Sequence, residues 1–165
     1  MSAIDDKWFQ CQWLGAPVDE GAGSAEMVMP DGHGRARDYQ NGSIYWTPEL
    51  GAHEVHGDIR IKWAQVGGTR GVLGYPVTDE LGCGPGNGRY NHFTGGSIYW
   101  TPEIGAHEVH AQIRDKWAEL GWQSSRLGYP ISDVRSSPGQ LSCVFQHGTI
   151  VWTPAAGAVV AGNID

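Results

Sequence analysis

The sequence has no apolar run approaching the roughly 20 residues that a membrane-spanning helix requires. Its opening, MSAIDDKWFQ, lacks the basic and apolar regions of a secretory leader. Taken as it stands, the chain reads as cytoplasmic; had a leader been removed, it would read as secreted or cell-wall associated. Positive charge is scarce, with 11 Lys and Arg against 18 Asp and Glu and a net charge of -7. Without a basic run, neither nucleic acid nor a membrane surface is an expected partner. Cysteine is limited to Cys11, Cys83 and Cys143, an odd number with no C-x-x-C pair. That disfavours a disulfide framework and a structural zinc site and points to ordinary reduced thiols.

Chemistry-bearing motifs are also missing. There is no G-x-S-x-G elbow, P-loop or dinucleotide fingerprint. The Gly-rich GCGPGNG at 82–88 leads into a strand pattern, not into a helix whose N-terminus would hold phosphate. No catalytic residue, metal or cofactor is expected, and the chain does not read as an enzyme.

What the chain has in excess is Gly, 25 residues, and Trp, 8 residues, and both follow an internal repeat. GSIYWTPELGAHEVH at 42–56 returns at 96–110 with only Leu50 exchanged for Ile104, and GTIVWTPAAGAVVAGNI from Gly148 is a third, looser copy. Leu73-Gly74-Tyr75-Pro76 returns as Leu127-Gly128-Tyr129-Pro130, with Leu14-Gly15-Ala16-Pro17 as a third version. Ile59-x-x-Lys62-Trp63 has counterparts from Ile113 and Ile4. One domain, 1–165, of three units is predicted, at about 4–58, 59–112 and 113–165. Because the last unit runs out at Ile164, where the first begins, the phase predicts a closed pseudo-threefold ring over a capped solenoid.

Within a unit, Arg89-Tyr90-Asn91-His92-Phe93 and Ser97-Ile98-Tyr99-Trp100 read as a β-hairpin. A Gly-Ala-His turn follows, then a helix with Val55, Ile59, Trp63 and Val66 on one face, repeated by Val109, Ile113, Trp117 and Leu120. The fold class is therefore α+β, with a hairpin, a short helix and Gly-rich loops in each unit.

The tetrapeptides LGYP, the GSIYW strands and the GAHEVHG that follows at 51–57 resemble the LGFP repeat family over almost the whole chain. The resemblance implies a non-catalytic repeat of the kind found in secreted actinobacterial proteins, where it attaches enzymes to cell-wall polysaccharide, and hence glycan binding. The first unit departs from the pattern with LGAP, and the third has Val151 in place of Tyr45 and Tyr99. With no catalytic domain or leader in the sequence, a free-standing lectin-like protein fits better than a wall anchor.

Strand alternation places Ile44 with Trp46 on one face and Tyr45 on the other. All three copies keep Ile-x-Trp, so Trp46, Trp100 and Trp152 read as core, as do Trp8, Trp63 and Trp117 on the helices. The aromatics left for a ligand are Tyr45, Tyr99, Tyr90, Trp13 and Trp122. Sugars need such platforms together with hydroxyl partners, which Asp79, Glu80, Asp19, Glu20, Arg35, Arg89, Asn91 and His92 supply. His53-Glu54-x-His56 and His107-Glu108-x-His110 are one residue short of a zincin motif, so each pair reads as one imidazole fixing a turn and one at a unit interface, with His53 and His107 as candidate polar ligand contacts. The expected function is multivalent carbohydrate binding through two good sites and one degraded one. The alternatives are a protein-interaction scaffold or homo-oligomerising module and, more remotely, a metal-dependent hydrolase.

Overall fold

The computed structural model describes residues 1–18 and 26–162; Asp19, Glu20 and Ile164 lie outside them. Three four-stranded antiparallel sheets follow one another along the chain. The first is β1 (Met27–Val28), β2 (Arg35–Tyr39), β3 (Gly42–Thr47) and β4 (Gly51–His56); the second is β5 (Leu81–Cys83), β6 (Gly88–His92), β7 (Gly96–Thr101) and β8 (Gly105–His110). The third is β9 (Arg135–Ser137), β10 (Gln140–Phe145), β11 (Gly148–Thr153) and β12 (Gly157–Ala161). Helices α1 (Ala3–Gln10), α2 (Gly57–Gln65) and α3 (Ala111–Leu120) precede or separate them.

The GAHEVH stretch is a strand, not the turn and helix start that the helical spacing of Val55, Ile59 and Trp63 predicts. Val55 pairs with Ser43 and Glu54 with Ile44 in the β3–β4 ladder. Helix α2 begins only at Gly57, whose φ of +58° turns the chain directly off the strand. Val55 and Ile59 still meet in one cluster, since strand end and helix start face the same core. Periodicity alone does not separate these cases when an apolar strand runs straight into a helix.

Every inner helix is packed on two sides. Helix α2 touches β4 of the sheet before it and β7 and β8 of the sheet after it, and α3 likewise lies between the second and third sheets. The Ile face of each sheet therefore meets the preceding helix: Ile44 with Ile4 and Leu14, Ile98 with Ile59 and Trp63, Ile150 with Ile113 and Trp117. The Tyr face meets the following one: Tyr45 packs edge-on to Trp63 and Tyr99 edge-on to Trp117, both with centroids 4.7 Å apart. This overturns the expectation that Tyr99 is free for a ligand, because it is 3 % exposed. The strand Trp residues Trp46, Trp100 and Trp152 are only half-buried at the margins of the clusters, while Trp63 and Trp117 on the helices are buried as expected.

The LG-x-P segment ties each helix to its sheet. The indole N–H of Trp8, Trp63 and Trp117 donates to the carbonyl of Gly15, Gly74 and Gly128, at 2.9, 2.9 and 3.2 Å. The Pro then forms a bridge at or just past the end of the sheet's second strand, at Tyr39, Phe93 and Phe145. The Tyr of LGYP reaches back to the preceding unit: Tyr75 lies over Gly34, and Tyr129 lies over Gly88 and donates to Pro85 O at 2.7 Å. A Cβ at Gly88 would overlap the Tyr129 hydroxyl, so Gly88→Ala is expected to cost about 1–3 kcal/mol. Urea denaturation should show that loss partly restored in the double variant with Tyr129→Phe.

The three sheets remain separate, with no closed sheet joining them among the described residues, so the predicted ring is not shown. What is shown is an α+β chain of three repeated units, each with a four-stranded antiparallel sheet and a helix. No helix among the described residues is long and apolar enough to cross a membrane.

Candidate ligand-binding site

Where the first unit meets the second, the edge strand β4 is bordered by the segment that leads into β5. Asp79 accepts from Lys7 Nζ of α1 at 2.7 Å and from the Glu54 N–H at 3.1 Å, with His53 Nδ1 at 3.4 Å. Glu54, buried, accepts from the Glu80 N–H at 2.9 Å and from His56 Nδ1 at 2.7 Å. His56 Nε2 reaches Glu80 at 3.0 Å, and Arg89 Nε donates to the same carboxylate oxygen at 3.0 Å.

The hydrogen bond to Glu54, followed by that to Glu80, raises His56 to about 9, so the imidazole is cationic at neutral pH. Burial pushes the Asp79 carboxyl up, but the contacts from His53, Lys7 and the Glu54 N–H outweigh it and hold the group at about 2. Burial likewise opposes ionisation of Glu80, and His56 and Arg89 together bring it below its ordinary value.

Two adjoining clefts open over this network, of about 410 and 440 Å³, sharing His56, Glu80 and Arg89. The first is floored by Trp100, whose indole N–H donates to Asp58 Oδ2 at 3.1 Å. The second is flanked by Trp13, 51 % exposed, with its ring edge-on to His56 at 4.6 Å. Two indoles thus frame one Glu, one Arg and one cationic His.

Of the sequence-derived candidates, Trp13, Asp79, Glu80 and Arg89 come together here, with His53 behind Asp79. The others do not. Tyr90 stacks on buried Tyr99 at 4.9 Å, and Trp122 closes the same aromatic pile beside His92. Burial, with help from Arg114, lowers His92 to about 4, which keeps it neutral; its Nδ1 lies 2.7 Å from Ser97 Oγ. Asn91 is buried, its amide donating to Glu54 O and Thr78 O. His107 contacts Asp133 at the second junction, 3.3 Å away. Tyr45 borders a separate cleft on the other face of its sheet.

Arg35 belongs to a smaller version of the first site. It pairs across the ladder with Trp46 just as Arg89 pairs with Trp100. Glu26 lies 3.7 Å from it, and a cleft of about 210 Å³ opens beside Trp46 and the start of α1. At the equivalent register the third sheet pairs Leu141 with Trp152, so the cation is gone.

Sequence reasoning missed Trp100, His56 and Asp58. A signal was present in the differences between copies. Glu80 and Arg89, which recur as Glu26 and Arg35 in the first unit, align with Val134 and Leu141 in the third, and Asp58 aligns with Gln112, so packing does not need these polar groups.

Because GAHEVH is a strand, His53 and His56 point to opposite faces, and so do His107 and His110. Among the described residues no group of three His, Cys, Asp or Glu is arranged to hold a metal ion. The cysteines are free, and desolvation raises all three, Cys143 to about 12, which keeps the thiols protonated and unreactive.

No curated protein matches the sequence. The family model for the LGFP repeat matches three times, over residues 14–71, 73–125 and 127–164. Each match begins at or just before the Leu-Gly-x-Pro segment that clamps helix to sheet, and together they span most of the sequence: the chain belongs to the LGFP repeat family.

Proposed function

We propose that the protein is a non-catalytic, multivalent glycan-binding protein that uses two Arg–Trp platforms, one large at Arg89 and Trp100 and one small at Arg35 and Trp46. The observation that supports this reading best is the pairing of a half-buried indole face with an Arg and a carboxylate in an open cleft, present in two copies of the repeat and degraded to Leu141–Trp152 in the third. A sugar ring presents an apolar C–H patch to an indole and its hydroxyls to charged groups, which is the composition of these clefts. Cell-wall polysaccharide is the class the family resemblance favours, which would place the working protein outside the membrane or in the wall.

The test is a glycan array of arabinan, galactan and chitin-type polymers with animal and plant glycans, followed by titration of the best binder. Trp100→Ala is expected to weaken binding by about 30-fold, roughly 2 kcal/mol, whereas Trp152→Ala leaves affinity unchanged. A blank array from folded protein would sink the reading.

A second reading, a scaffold that associates with another protein or with its own copies, has one observation in its favour. On the third sheet, Val151 and Val159 occupy the face that α2 and α3 cover on the other sheets, and Val159 is 45 % exposed. No described helix follows to cover it. Concentration-dependent mass in sedimentation, abolished by Val159→Asp, would favour this scaffold.

A further inference from the structure

The second and third units share a slot that the first and second leave open. Next to α3, the slot is filled by the chain's own Trp122. Its ring lies over Tyr99 with centroids 6.0 Å apart and planes 26° apart, and stands edge-on to Trp117 at 5.3 Å. The Arg114 guanidinium sits 5.2 Å from the ring centroid, a cation–π arrangement, and is itself steered by Arg114 Nε donating to Ser97 Oγ at 2.8 Å.

Next to α2 the Tyr, Trp and Arg walls recur, while Ala36 and Asp38 stand where the second sheet has Tyr90 and His92. Tyr45 is edge-on to Trp63 at the distance that separates Tyr99 from Trp117, and Arg60 Nε donates to Ser43 Oγ at 2.9 Å. The plug is missing. The residue aligned with Trp122 is Gly68, and the two share their unusual backbone, φ +58° for Trp122 and +57° for Gly68. A Cβ added at Gly68 meets nothing within 4 Å. What remains is a cleft of about 460 Å³ bordered by Tyr45, Trp63, Arg60 and Arg70.

We propose that this cleft is a binding site for a small planar aromatic acid, an indole-type ring bearing a carboxylate, seated where Trp122 sits in the neighbouring copy. The ring's place is given by the chain itself, which shows that an indole fits between a Tyr face, a Trp and an Arg of this geometry. The acid follows from the charge at the rim. Arg60 is partly neutralised by Asp38 at 3.6 Å, while Arg70 is exposed and has no ion-pair partner among the described residues. A carboxylate extending from the ring gains a charge-assisted contact there. This site is on the opposite sheet face from the Arg–Trp platforms and does not depend on them.

The experiment uses the whole chain and N-acetyl-L-tryptophan as probe, with its uncharged amide as control, followed by calorimetry and ligand-observed NMR. The acid is expected to bind saturably, with the amide weaker by about tenfold, the equivalent of 1.4 kcal/mol. Gly68→Trp supplies the missing plug in a backbone already suited to it and should abolish binding, while thermal unfolding shows the fold intact. Arg70→Ala should bring the acid's affinity down to that of the amide. Failure of the wild type to bind, or undiminished binding to a folded Gly68→Trp variant, would overturn the proposal. Glycan binding measured in parallel on Gly68→Trp is expected to be unchanged, so failure of one site is distinguishable from failure of the other.

Discussion

Tyr99→Ala is expected to destabilise the protein by about 3–5 kcal/mol, as truncation of a fully packed aromatic does, a large share of the 5–15 kcal/mol that holds a domain of this size folded. Tyr99 is 3 % exposed and touches Tyr90, Trp117, Trp122 and Tyr129, so its removal opens a cavity walled by other large rings that have little room to collapse. Burial of the phenol pushes its pKa up despite the opposing charge of Arg114, the mark of a group held away from water. Trp100→Ala, one residue along the same strand, is expected to cost less than half as much, because that indole lies half-open at the edge of its cluster and its N–H faces Asp58 across the cleft. Urea denaturation of the two variants side by side measures the difference, and a larger loss at Trp100 would contradict the packing described above.

The inversion of these two residues shows how far the sequence was legible. Alternation placed Tyr and Trp correctly on opposite faces, and the ladder confirms it, with Tyr45 opposite His53 and Trp46 opposite Ala52. The step that failed was assigning one face to core and the other to solvent, as suits a sheet with a single covered face. Here a helix packs on each face of the first two sheets, so neither face is left wholly to solvent, and the open surface is found at the strand ends and unit edges. Repeat number, the LG-x-P segments and the buried Trp63 and Trp117 could be read directly, since each recurs at fixed spacing, whereas Trp8, read as core, is only half-buried. The fourth strand could not, because Val55 and Ile59 satisfy a helical spacing while sitting on a strand and a helix. The candidate site was half-legible for a related reason: Trp13 stands out as a departure from the repeat, and Glu80 and Arg89 as residues the third unit lacks, whereas Trp100 hides inside its most regular stretch.

The identity of the two GAHEVH stretches is explained by what Glu54 and Glu108 hold together, and Glu54→Ala is the substitution that exposes it. Glu54 is 2 % exposed and bridges the Glu80 N–H to His56; Glu108 bridges the Val134 N–H to His110, at 3.0 and 2.6 Å. Lys62 and His107 meet Asp133 as Lys7 and His53 meet Asp79. Each copy thus builds the same polar junction to the unit that follows it, and the third copy, with Val160 paired to Ile150 where Glu would stand, builds none among the described residues. Removing Glu54 leaves a buried N–H and a cationic imidazole without their acceptor, an arrangement that costs about 3–5 kcal/mol. The junction also carries a pH signature. His56 is raised to about 9, chiefly by its bond to Glu54, so its contribution to stability is complete below the unfolded value of about 6.5 and disappears as pH climbs through about 9. Asp79, held at about 2 despite its burial, contributes above its unfolded value of about 3.9 and loses that contribution as pH falls toward 2. Melting temperatures of the wild type should therefore decline between about pH 7 and 9; in Glu54→Ala that decline should shrink and shift to lower pH, while the acid limb set by Asp79 persists. An alkaline decline of unchanged size and position in the variant would mean that the His56–Glu54 bond does not set the alkaline limb.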